Sequence, residues 1–102
     1  MTTIHDHSVR VSEDEIKCLK KSILDRDPDG TVYLFGSRTD PLQQGGDIDI
    51  LILSDSLTRQ DIRAIRLEFF DLFGEQKLDI VLDTPQPRKH FTRLILKKAI
   101  QL

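Results

Sequence analysis

Asp47, Asp49 and Asp79, together with the pair Gly36-Ser37, are the candidates for a reactive site. Asp47-Ile48-Asp49-Ile50-Leu51-Ile52 reads as a strand. Alternation puts Asp47 and Asp49 on one face and Ile48, Ile50 and Ile52 on the other. Two carboxylates about 7 Å apart at Cα repel, and they are costly to desolvate unless a cation lies between them. Oxygen ligands at that spacing suit Mg²⁺, which keeps several waters and borrows substrate phosphates to fill its octahedron. Leu78-Asp79-Ile80-Val81-Leu82 repeats the pattern, with Leu78, Ile80 and Leu82 on one face and Asp79 on the other. If this strand lies beside the first, Asp79 completes a three-carboxylate cluster able to hold two divalent ions.

Gly36-Ser37 ends an earlier strand. Glycine lets a phosphate approach the backbone, the Ser37 amide and hydroxyl can donate to its oxygens, and Arg38 can add a charge-assisted bond. Phosphate donors and metal ligands at one end of a sheet are what transfer at a phosphoryl group needs. A Gly-Ser pair alone is a common turn, and an Asp-x-Asp alone occurs by chance. The combination is far more specific.

The elements that must position these residues follow from pattern. Residues 1–10 are polar and aperiodic and read as a flexible tail, leaving 11–102 as a single domain. Ser12-Glu13-Asp14-Glu15 forms a capping box, with Val11 and Ile16 as its hydrophobic staple. Ile16, Leu19 and Ile23 make a helical stripe that Asp27-Pro28-Asp29-Gly30 ends in a turn. Thr31–Phe35 is a strand, Ser37–Gly46 a loop and Asp47–Leu53 a second strand. Thr58 caps a helix carrying Ile62, Ile65, Phe69 and Phe73, stopped by Gly74. The Asp79 strand follows, and Arg88–Leu102 reads as a final amphipathic helix through Phe91, Leu94, Ile95 and Ala99. The expected fold class is α+β, a small mixed sheet packed with helices. A short loop favours an antiparallel first pair, and the helix before the third strand fits a crossover.

Composition limits the function. The chain has 102 residues, 15 basic and 17 acidic, and an apolar share of 38%. That supports one modest core with any ligand site at its edge. The near-neutral balance argues against bulk nucleic-acid binding. No run approaches a membrane span, the first residues do not form a signal peptide, and the single Cys18 excludes an internal disulfide. A reduced, cytoplasmic protein is expected. The basic residues Arg88, Lys89, Arg93, Lys97 and Lys98 fit a solvated helix face, with steering of a triphosphate or an acidic partner as the functional alternative. His5 and His7 make a poor metal site on a tail. Cys18 reads as an inert surface or boundary thiol, and Tyr33 as core, with acceptance of a nucleotide as its functional alternative. Phe69, Phe70 and Phe73 exceed one narrow stripe, which leaves part of that cluster for a partner interface, with use in the core of a small domain as the alternative.

Leu34-Phe35-Gly36-Ser37-Arg38, with nine residues in all between Ser37 and the following Asp47-Ile48-Asp49, resembles the signature of the nucleotidyltransferase superfamily of DNA polymerase β. Size and order are similar to its minimal nucleotidyltransferases (MNT). The resemblance covers about Thr31 to Leu82 and implies the polymerase β-like fold. It implies that Gly36 and Ser37 bind the triphosphate of ATP and that Asp47 and Asp49 hold two Mg²⁺ ions. Asp79 would ligand the catalytic ion and help activate the acceptor hydroxyl. Many members are antitoxins encoded beside a HEPN-type ribonuclease toxin, and some move AMP from ATP onto a tyrosine of that toxin. The expectation is therefore a protein adenylyltransferase, releasing pyrophosphate, that recognises its acceptor through a protein–protein interface. The alternatives are an antitoxin that masks its toxin by contact alone, and addition of nucleotides to RNA ends. Homo-oligomerisation is left open. Thr39–Gly46 departs from the small-residue, Arg-containing helix of many relatives, so that loop is expected to affect nucleotide choice or acceptor fit.

Overall fold

The computed structural model describes residues 13–36 and 48–102. Helix α1 spans Glu13–Arg26, strand β1 Thr31–Phe35, β2 Ile48–Leu53, helix α2 Arg59–Phe73, β3 Leu78–Asp83, helix α3 His90–Leu96 and β4 Ile100–Gln101. The strands form a mixed α+β sheet in the order β3-β2-β1-β4. β1 runs antiparallel to β2 and to β4, and β2 runs parallel to β3. The intervening α2 makes the crossover that a parallel pair requires.

Strand alternation divides the apolar residues between two faces. Val32, Leu34, Ile48, Ile50, Ile52 and Leu78 pack with Leu19 and Ile23 of α1 and with Ile65 and Phe69 of α2. On the other face Leu51 and Leu53 pack with Ile95 of α3, and Tyr33, Phe35 and Val81 close around them. The apolar stripes of α1 and α2 therefore face the sheet as their periodicity requires. Phe69 is fully buried, Phe70 and Phe73 pack against the same cluster, and the Phe69 and Phe73 rings lie 5.0 Å apart. Phe69 belongs to the core, with Phe70 and Phe73 half-buried against it. Helix α2 instead exposes Leu67 and Leu72.

Local signals hold where they are described. Thr58 and Asp61 make a reciprocal capping box at the start of α2, and the Gly74 amide closes its end on the Phe70 carbonyl at 2.8 Å. The Asp29 amide donates to the Asp27 carboxylate at 3.0 Å, and the Gly30 amide to the Asp27 carbonyl at 3.0 Å, which ends α1 in the expected turn. The tail, the Ser12 cap with Val11, and His5 and His7 lie outside the described residues.

The chain's end departs from the expected long helix. Helix α3 stops at Leu96, and Ile100–Gln101 pairs with Leu34 and Tyr33 as β4. The Leu102 amide adds a bond to the Val32 carbonyl at 2.9 Å. An unpaired edge of β1 competes for these backbone groups, and the β-branched Ile100 suits a strand. The stripe also turns. Thr92 and Ile95 are buried, whereas Phe91 and Leu94 are 57% and 48% exposed. Asp83 fixes this rotation, because its carboxylate accepts from the Arg88 and Lys89 amides where α3 begins.

Candidate active site

Parallel pairing of β2 with β3 sets Asp49 and Asp79 at facing register positions, at the strands' N-terminal ends. Adjacent strands lie about 4.8 Å apart, so the two acids are neighbours across the sheet. Alternation puts both on the face that α3 partly covers, one step beyond Leu51 and Val81. Asp49 is half-buried and Asp79 exposed. Like charges facing across a sheet destabilise it, and a divalent cation between them would offset that repulsion. Hard oxygen donors of this kind fit Mg²⁺ or a similar ion.

Antiparallel pairing brings Phe35 of β1 opposite Asp49. Gly36 follows with φ +80°, a backbone region that favours glycine. Its Cα lies against the acid. A Cβ there would fall 3.0 Å from the Asp49 Cγ and 3.3 Å from its Cβ, and closer still to Oδ2. Glycine thus allows the strand end to pack on the carboxylate.

The structure brings Gly36, Asp49 and Asp79 of the sequence-derived set to one end of the sheet. Ser37, Arg38, Asp47 and the loop Thr39–Gly46 lie outside the described residues. Among the described residues no three His, Cys, Asp or Glu side chains gather as a metal site. The described share of the proposed cluster is the Asp49–Asp79 pair.

Two buried acids stabilise the frame, Asp83, which carries no role in the sequence reading, and Asp27, which reads there only as part of a turn. Asp83 extends β3 by one residue and accepts from the amides of Thr84 at 2.7 Å, Lys89 at 3.0 Å and Arg88 at 3.3 Å. Burial alone would raise its pKa, but these amides outweigh burial and hold the carboxyl far below the usual carboxylate range. The signal for it was Asp83-Thr84-Pro85, an aspartate followed by turn residues. Asp27 receives the Ser54 hydroxyl, and that bond is the largest cause lowering its pKa. Ser54 Oγ in turn accepts from the amides of Ser56 and Leu57, both at 3.1 Å. At the edge of the core, Cys18 is half-buried and burial raises its thiol pKa, so little reactive thiolate is present at neutral pH.

The family model of the nucleotidyltransferase domain matches residues 16–102. With the fold and the acid pair in place, the chain belongs to this family, whose general activity is nucleotidyl transfer. No curated protein matches the chain at a significant level. Domains of this family typically use a nucleoside triphosphate and a divalent metal, in keeping with the Asp49–Asp79 donor set. Among the described residues no helix is long and apolar enough to cross a membrane.

Proposed function

We propose that this chain transfers AMP from Mg²⁺-ATP to a hydroxyl of a protein acceptor, as the antitoxin partner of a HEPN-type ribonuclease toxin. The observation that carries the transfer reading is the facing pair Asp49 and Asp79 beside Gly36. The exposure of Asp79 supports a macromolecular acceptor, since a hydroxyl on a large surface can reach it without entering a deep cleft. The antitoxin assignment rests on the resemblance to minimal nucleotidyltransferases and on all three acids being present in the sequence.

In this reading Asp47, Asp49 and Asp79 hold the divalent ions and Gly36-Ser37 the phosphates. When bound, Mg²⁺ supplies charge neutralisation on the triphosphate and a lowered pKa for the acceptor hydroxyl. The acceptor oxygen bonds to the α-phosphorus as the bond from that phosphorus to the α,β-bridging oxygen breaks. The bridging oxygen keeps the electron pair and leaves as part of pyrophosphate. Asp79 accepts the hydroxyl proton and releases it to water. Gly36 keeps the Asp49 carboxylate from swinging toward β1, which fixes one ligand before substrate arrives.

The test incubates the chain with α-labelled ATP and Mg²⁺ in lysate of the native host. A labelled protein band is expected with wild type and lost, by at least about a hundredfold, with Asp49→Asn or Asp79→Asn. Label in RNA would replace this reading with end-addition. No label, with a partner still co-purifying, would replace it with masking by contact alone.

A further inference from the structure

β3 is an edge of the sheet. Its odd-numbered residues bond toward β2, as the Asp83 carbonyl does with the Ser54 amide, so Leu78, Ile80 and Leu82 turn their backbone groups outward. Two of those carbonyls are held by cations. The Arg66 guanidinium donates to Leu78 and the Lys89 ammonium to Leu82, the latter at 3.0 Å. Among the described residues no such partner reaches the outward groups of Ile80.

Beside this gap lies a groove of about 450 Å³. Ile80, Val81 and Leu82 all line it, so it opens along the strand edge and not on one face of the sheet. Ile62 and the exposed Phe91 add apolar walls, and Arg59 and Lys89 are the charged residues lining it. Of the chain's 15 basic residues, five fall within residues 84–102, where no acid occurs.

We infer that this edge of β3, between Arg66 and Lys89, is a docking strip for an extended segment of the partner protein with alternating acidic and aliphatic side chains. Its backbone pairs with Ile80, its aliphatic side chains enter the groove, and its acids meet Arg59, Arg66 and Lys89. Charge selects this occupant over a second copy. Antiparallel pairing of two copies about Ile80 would set residue 78 against residue 82 and bring Arg66 of one chain onto Lys89 of the other. Phe91 is the single aromatic wall among aliphatic ones, whereas single-stranded nucleic acid stacks successive bases on several rings, which favours a protein. Asp79 precedes Ile80 on the same strand, so a docked segment continues directly to the acid pair. The inference rests on the protein-acceptor reading above and names the kind of segment the acceptor presents.

The test pans the full chain, without ATP or Mg²⁺, against a phage library of random dodecapeptides. Enrichment of alternating acidic–aliphatic sequences is expected. The best enriched peptide, labelled, should bind at least about tenfold more weakly to Lys89→Glu and to Phe91→Ser, and should slow amide exchange at Ile80 and Leu82. No enrichment, enrichment without acids, equal binding by both variants, or preferential binding of oligouridylate to this surface would overturn it. Thermal unfolding of both variants separates lost docking from lost folding. Docking is read in Asp49→Asn as well. Binding without transfer would sink the proposed activity alone, and transfer without binding would sink this inference alone.

Discussion

Gly36 packs its backbone against the Asp49 carboxylate, with the Cγ only 3.0 Å from where a Cβ on Gly36 would stand. A side chain at position 36 would have to push the Asp49 carboxylate aside. A glycine that reads as a phosphate-approach residue therefore has a second role, holding a carboxylate in place.

Gly36→Ala is accordingly expected to displace Asp49 and to strain the backbone, which sits at φ +80°. Transfer should fall steeply while stability drops by about 1–2 kcal/mol. Denaturant unfolding beside an activity assay checks this. Full activity in Gly36→Ala would show that Asp49 does not depend on the glycine.

Asp49 and Asp79 face one another on parallel strands, where like charges repel. Asp79→Asn should stabilise the chain by about 0.5 kcal/mol in chelator and lose that advantage when Mg²⁺ is added. Melting curves with and without Mg²⁺ read the difference directly. A destabilised Asp79→Asn in chelator would assign the residue a structural role.

The facing of Asp49 and Asp79 was legible because it rests on strand alternation. Asp49 and Asp79 stand out at positions where a two-sided strand would otherwise bury apolar groups, and the pairing of β2 with β3 then sets them face to face. Local chemistry was equally readable at Thr58, Gly74 and the Asp27–Gly30 turn. The end of the chain was not. Ile100 pairs with Leu34, far away in sequence, and no local period announces a strand that exists to cover the edge of β1. The phase of α3 was equally hidden, because Asp83 sets it from the preceding strand. The edge contacts of Arg66 and Lys89 likewise depend on where α2 and α3 dock.

Asp83 should govern part of the acid unfolding. Its pKa is depressed in the folded chain, so its stabilisation is complete above the unfolded value near ~3.9 and is lost as pH falls from there toward the folded value. Asp83→Asn is expected to lower stability at pH 7 and to flatten its dependence on pH below about 4. Asp83→Ala, which leaves three amides without their acceptor, should cost about 3 kcal/mol. Parallel acid titrations of wild type and Asp83→Asn with unchanged slopes would contradict this.

Burial separates two polar clusters that look alike on a contact map. Ser54 is buried and serves Asp27 and two amides, so Ser54→Ala should cost about 2 kcal/mol. The Arg26–Glu68 pair between α1 and α2 is close at 2.7 Å, but the Glu68 side chain is 47% exposed. Glu68→Gln should cost less than about 1 kcal/mol, and salt should shrink that difference further. Urea midpoints at two salt concentrations distinguish the cases.

In the proposed reaction Asp49 and Asp79 act together on a divalent ion and a triphosphate. Its most direct test measures Mn²⁺ binding by electron paramagnetic resonance in the presence of an ATP analogue with an uncleavable α,β-methylene bridge. Wild type should bind the ion, and Asp79→Asn, shown folded by its melting curve, should bind it at least about tenfold more weakly. Equal binding by the two folded proteins would contradict the account.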